Sequence, residues 1–215
     1  MTTITLPSTP KFQSATWKLV QPAQNNISQW TGARQVMASN RGWWECQIVL
    51  PPIVGESNAR AWLSFIGLTQ GAVADFQVPV TPNGQGGGSG DPIPDLTLDF
   101  ISESYVVRSD PAVNGANQTG RTLVTDGWEA STTVLYAGQY ITINNQLLQL
   151  TSNVTSNGSG QATITFAPAL RSSPADNALI EYLNPYALMY SVDDITYSVE
   201  PGMVYNISLN LREAF

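Results

Sequence analysis

Side chains able to do chemistry are few in this chain, and the most versatile of them is missing: there is no histidine. A nucleophile–histidine–acid arrangement therefore cannot be built. Cys46 is the single cysteine, so no internal disulfide can form, and it falls on the apolar side of an alternating run, where a free thiol serves as a small core hydrophobe. A metal site would have to be made from carboxylates. Asp91, Asp95 and Asp99, or Asp193 and Asp194, are the candidates, and neither set has a recognised ligand spacing. Carboxylate pairs for glycoside hydrolysis can be drawn as Glu103 with Asp110 or Asp126 with Glu129, but turn and surface positions explain all four. Tyr105, Trp128, Tyr136 and Tyr140 lie in an acidic, hydroxyl-rich stretch and are candidates for stacking on sugar rings; core or subunit contact is the competing reading. No catalytic, metal-binding or cofactor-binding residue is assigned, and the expectation is a protein that is not an enzyme.

Composition points the same way. Only 12% of the 215 residues are charged, while Asn, Gln, Ser, Thr and Gly are common, a profile that suits β-structure better than helical bundles. A net charge of −7 argues against a nucleic-acid partner, which would call for clustered Lys and Arg. The N-terminal residues lack the basic and apolar regions of a secretory signal, and no apolar run nears the ~20 residues of a membrane span. The expectation is a protein that folds where it is made, without a membrane anchor.

The elements that would position these residues are mostly strands. In residues 43–52, Trp44, Cys46, Ile48 and Leu50 share one face of a strand that ends on Pro51-Pro52. A short amphipathic helix follows, with Ser57 as its expected N-cap, Ala59, Trp62, Leu63 and Ile66 as its buried stripe, and Gly71 as its stop. Residues 15–20, 35–38 and 76–80 also read as strands. A seam at residues 81–92, carrying five glycines, then reads as a flexible loop, since it completes neither a dinucleotide fingerprint nor a calcium-binding nonapeptide. Beyond it, residues 140–150 form a hairpin around Asn144-Asn145, and Val154 should pair across Asn157-Gly158-Ser159-Gly160 with Ala162, Ile164 and Phe166. Near the C-terminus Met203, Tyr205, Ile207, Leu209 and Leu211 alternate with polar residues, and Ile195, Tyr197 and Val199 mark a partner strand before Pro201-Gly202.

Charge divides the chain at the same seam. Residues 1–80 carry a net +2, residues 81–184 a net −6 and residues 185–215 a net −3. The expected architecture is all-β with one short helix. Residues 1–82 with 186–215 should form a discontinuous β-sandwich core, 83–96 a Gly/Pro-rich loop, and 97–185 an inserted small β-barrel or sandwich.

Spread along the chain are short motifs: Ala15-Thr16-Trp17-Lys18-Leu19, Thr31-Gly32 with Gln35, Trp44-Glu45 leading to Leu50-Pro51-Pro52, and Ala61-Trp62-Leu63-Ser64-Phe65. Further on come Gly115-Ala116-Asn117-Gln118-Thr119-Gly120, Thr125-Asp126-Gly127-Trp128, Ala137-Gly138-Gln139-Tyr140-Ile141, Pro168-Ala169-Leu170-Arg171 and Arg212-Glu213-Ala214-Phe215. In this order the chain resembles tail proteins of siphoviruses akin to distal tail (Dit) baseplate-hub proteins. Gln139 departs from that pattern, which has Asp there. The resemblance implies a virion structural protein, assembled in the bacterial cytoplasm into a homohexameric ring that meets tail-tube and tail-tip proteins. A tail-tube or other tail-ring protein, or a carbohydrate-binding tail-tip module, is the alternative.

Ring contacts are expected at open edges of the core sheet and at the Gly-rich loop, because unpaired strand edges accept a neighbouring chain. Arg34, Arg41 and Arg60 are candidates for a positive side, and Asp193, Asp194 and Glu200 for a negative side, of a head-to-tail contact.

Overall fold

The computed structural model describes residues 3–39, 41–80 and 110–215. The Gly/Pro-rich loop at 83–96, and with it Asp91, Asp95, Asp99, Glu103 and Tyr105, lies outside the described residues. The described residues are mostly β, with a single helix among them.

In the first part of the chain come β1 (Thr3–Ile4), β2 (Ser14–Val20), β3 (Ala23–Ile27), β4 (Arg34–Ala38), β5 (Trp43–Val49), β6 (Ile53–Val54), the helix α1 (Glu56–Thr69) and β7 (Asp75–Pro79). After them come β8 (Ala112–Val113), β9 (Thr122–Asp126), β10 (Thr133–Leu135), β11 (Tyr140–Ile143), β12 (Gln146–Leu150), β13 (Val154–Thr155) and β14 (Ala162–Ala167). The last three are β15 (Tyr186–Ser191), β16 (Tyr197–Glu200) and β17 (Val204–Glu213). Two compact units result: Met1–Gln21, Trp43–Pro82 and Ala187–Phe215 form the first, and Pro22–Gly42 with Asn83–Tyr186 the second. This division departs from the expected one at residues 22–42, which group with the second unit.

The first unit is built on one sheet in the order β1-β7-β15-β17-β5-β2, with β6 and β16 also paired to β17. Period-two alternation is why β5 and β17 meet as they do: Leu209 lies opposite Ile48 and Leu211 opposite Cys46, so the apolar residues of both strands share a face. On the other side of β5, Trp17 of β2 lies opposite Cys46. Trp44, Cys46, Ile48, Ile207, Leu209 and Leu211 are all buried there, as are Phe76 and Val78 of β7 and Met189 of β15.

Helix α1 supplies the covering layer. Phe65 meets Phe76 edge-on with ring centroids 5.0 Å apart, Trp62 meets Phe65 edge-on at 5.7 Å, and the Trp62 indole N–H donates to the Thr9 carbonyl at 3.1 Å. Fully burying side chains of this size stabilises by roughly 1.5–3 kcal/mol each, which holds the helix in place although no side chain caps its N-terminus. Its N-cap is Gly55 rather than Ser57, and its buried residues are Ala59, Trp62, Phe65 and Thr69. Leu63 and Ile66, expected on the stripe, are only half-buried. The helix ends on Gln70 in the left-handed conformation, one residue before Gly71.

The second unit contains a five-stranded sheet, β11-β12-β14-β9-β8, and a two-stranded ladder, β10-β13. Asn144 and Asn145 both take positive φ in the tight turn between β11 and β12, as the sequence predicts. The second predicted hairpin is corrected: β13 pairs with β10, while β14 pairs with β9 and β12. Asn157 holds the turn between them, its side-chain oxygen accepting the N–H groups of Ser159 and Gln161 at 2.9 and 3.0 Å. Leu123, Leu135, Ile141, Leu148, Ile164 and Phe166 make the centre of the core.

Candidate assembly surface

Few of the residues with chemical potential are placed where they could use it. Cys46 is 3% exposed, and burial pushes its thiol up to about 12. Among the described residues no group of three or more His, Cys, Asp or Glu is placed to hold a metal ion. Trp128 takes the core role and not the sugar-stacking one: it is 7% exposed, its indole N–H donates to Thr125 Oγ1 at 2.8 Å, and its ring meets Tyr182 edge-on at 5.3 Å. Tyr136 and Tyr140 are half-buried. The Tyr140 hydroxyl accepts from Gln149 Nε2 at 3.2 Å, and burial raises its pKa. Gln139, at the position where the resemblance carries Asp, uses its side-chain oxygen to accept the Tyr136 N–H at 2.8 Å, so it braces the 136–139 turn.

Arg34 belongs to a different kind of feature. Strands β3 and β4 form an antiparallel hairpin from Ala23↔Ala38 to Ile27↔Arg34, in which no other strand takes part among the described residues. Its turn is closed by Ser28 N–H to Ala33 O and Gly32 N–H to Ser28 O, both 2.9 Å. All residues described at 23–37 are exposed, including Ile27 (66%), Val36 (46%), Met37 (67%) and the turn residue Trp30 (97%). Directly opposed residues share a face, so Asn25, Ile27, Arg34 and Val36 lie together on one side of this arm and Gln24, Asn26, Gln35 and Met37 on the other.

The arm is basic without being acidic: Arg34 and Arg41 lie within residues 22–42 and no Asp or Glu does. Arg34 donates from Nε and Nη2 to Asn25 Oδ1 at 3.2 and 2.8 Å, which fixes the guanidinium along the arm, and no carboxylate among the described residues pairs with it. Arg60 differs: it pairs with Glu56 one turn away at 3.5 Å, so its charge is answered within its own helix. On the negative side, Asp193, Asp194 and Glu200 are all exposed in residues 192–203, beside exposed Val192, Tyr197, Val199 and Met203. Glu200 accepts from Asn206 Nδ2 at 2.8 Å. No basic residue lies in that stretch.

Sequence reasoning named these charges and read residues 35–38 as a strand, but missed the arm. The available signal was Trp30 in a Gly-containing turn after the Asn/Gln-rich run of β3, an arrangement that is wasteful unless the tryptophan meets something. Neither the family models nor the curated proteins contain a match to this chain.

Proposed function

We propose that this protein is a structural subunit of a bacteriophage tail, a Dit-like ring component in which six copies close at the junction of tail tube and tail tip. The observation that supports this reading is the exposed arm. An isolated two-stranded hairpin is marginal in water, and this one also holds Ile27, Trp30, Val36 and Met37 in solvent. Such an element gains its stability from a partner. Three of the four are already partly covered, so burying what remains exposed releases on the order of 4–8 kcal/mol, at about 1.5–3 kcal/mol for a side chain taken from full exposure. Association costs about 4–15 kcal/mol, so one arm contact by itself is close to break-even. A closed ring gives every subunit two such contacts and makes the assembly cooperative, which an open chain of the same contacts does not.

Native mass spectrometry and negative-stain electron microscopy of the purified protein test the proposal. Single six-fold rings are the expected result. Rings that stack into tubes favour the tail-tube alternative, and a protein that stays monomeric at high micromolar concentration overturns the ring reading altogether.

A further inference from the structure

We propose that the arm of one copy docks on the acidic ribbon at residues 192–203 of the next copy. This rests on the ring reading and names the partner surface within it. Three observations carry it. The first is sign: the arm segment holds two cations and no anion, the ribbon three anions and no cation, in a chain of net charge −7. Copies of so acidic a chain repel unless their contact brings opposite charges together, and these two exposed surfaces carry charges of opposite sign. Lys18, by contrast, is already paired with Glu45 at 3.2 Å, and Arg212 stacks on Trp43 at 4.3 Å.

The second observation is apolar match. Ile27 and Val36 share the Arg34 face of the arm, and on the ribbon Tyr197 and Val199 are 49% and 53% exposed. The third is backbone. Strand β16 pairs with β17 on one edge only, and its other edge is open among the described residues, so it can accept a strand. Arm and ribbon are different surfaces of the same molecule. The contact is therefore heterologous and runs head to tail, as ring closure requires. A nucleic-acid role for the arm is disfavoured, because two phosphate contacts support little affinity at physiological salt.

A charge-swap pair tests this. R34E/R41E makes both surfaces of one variant negative, and D193K/D194K makes both surfaces of the other net positive. All four sites are exposed, so circular dichroism and thermal melting should match the parent. Each variant alone should need a roughly tenfold higher concentration to form rings at low salt, a difference that shrinks near 1 M salt as the screening length falls to about 3 Å. Mixed in equal amounts, the two should recover parental assembly as alternating rings. The inference is overturned if either variant assembles like the parent, or if two folded variants fail to rescue each other. It also falls if R34E/R41E abolishes binding of a single-stranded DNA oligonucleotide while rings form normally. A parent that forms no ring removes the functional reading itself, whereas parental rings with indifferent charge variants remove only this docking surface.

Discussion

Treating the folded protein with a thiol reagent should leave it almost untouched, although it has a free cysteine. Cys46 faces the core of the sheet opposite Leu211 and Trp17, 3% exposed, and burial raises its thiol from an ordinary 9.0 to about 12. The reactive species is the thiolate. At pH 8 a thiol of pKa 9 is about one-tenth ionised, and one of pKa 12 about one part in 10⁴, so ionisation alone slows the reaction by roughly 10³. Reaction should then wait on opening of the sheet. In a DTNB assay at pH 8, colour should develop within seconds in denaturant and at least ~10³-fold more slowly in buffer. The same shift sets a pH dependence. The native state keeps the proton that the unfolded state gives up, so this group leaves stability level below about pH 9 and lowers it between about pH 9 and 12, by up to ~1.4 kcal/mol per pH unit. Cys46→Ala should remove that part of the alkaline slope. A native labelling rate within tenfold of the unfolded rate would refute the reasoning, because it would place the thiol at the surface.

Other substitutions test the packing. Trp62→Ala removes a fully buried indole with its Phe12 and Phe65 contacts and should cost about 3–5 kcal/mol by urea titration; Trp62→Phe, which keeps the ring contacts and loses the bond to Thr9, should cost less than half of that. Gln118 donates to the carbonyls of Asn114, Gly115 and Val124 and accepts the Val124 N–H at 2.6 Å, so Gln118→Ala should destabilise by about 2 kcal/mol and speed amide exchange at Val124. Gly160 has φ +73, and a Cβ there would lie 2.5 Å from the Trp128 carbonyl oxygen. Gly160→Ala should therefore cost more than about 2 kcal/mol and change the near-ultraviolet signal of Trp128; a neutral substitution would show that the turn shifts freely.

What could be read from the sequence was whatever depended on local periodicity. The alternation of Trp44, Cys46, Ile48 and Leu50 and that of Ile207, Leu209 and Leu211 marked two strands with one apolar face each, the seam and the change of charge sign assigned them to one core, and Asn144-Asn145 was enough for a turn. Met203, which continues the same alternation, instead sits in the turn before β17 with positive φ and 60% exposure, because a period-two pattern does not mark where its strand begins. The helix stripe was misjudged at two of its four positions for a related reason: Leu63 and Phe65 are equally apolar, and it is Phe65 that meets Phe76. Trp128 illustrates the ambiguity of aromatics, since nothing in composition distinguishes a stacking platform from a ring bonded to Thr125 within the core. The arm escaped because β3 reads Ala-Gln-Asn-Asn-Ile, without alternation, and exposure is a tertiary property that a strand's own residues do not encode.

The placement of β17 also has a consequence for biosynthesis. This strand joins β5, which precedes it by more than 150 residues, to β15, and it also holds β6 and β16, so it forms the middle of the sheet. A chain emerging from the ribosome cannot complete that sheet until residue 213 has cleared the exit tunnel, whereas the strands from β8 to β14 are contiguous and can pair earlier. Synthesis order thus delays the first unit: a nascent chain interrupted before β17 holds β2 and β5 but lacks the strand that joins them to β15.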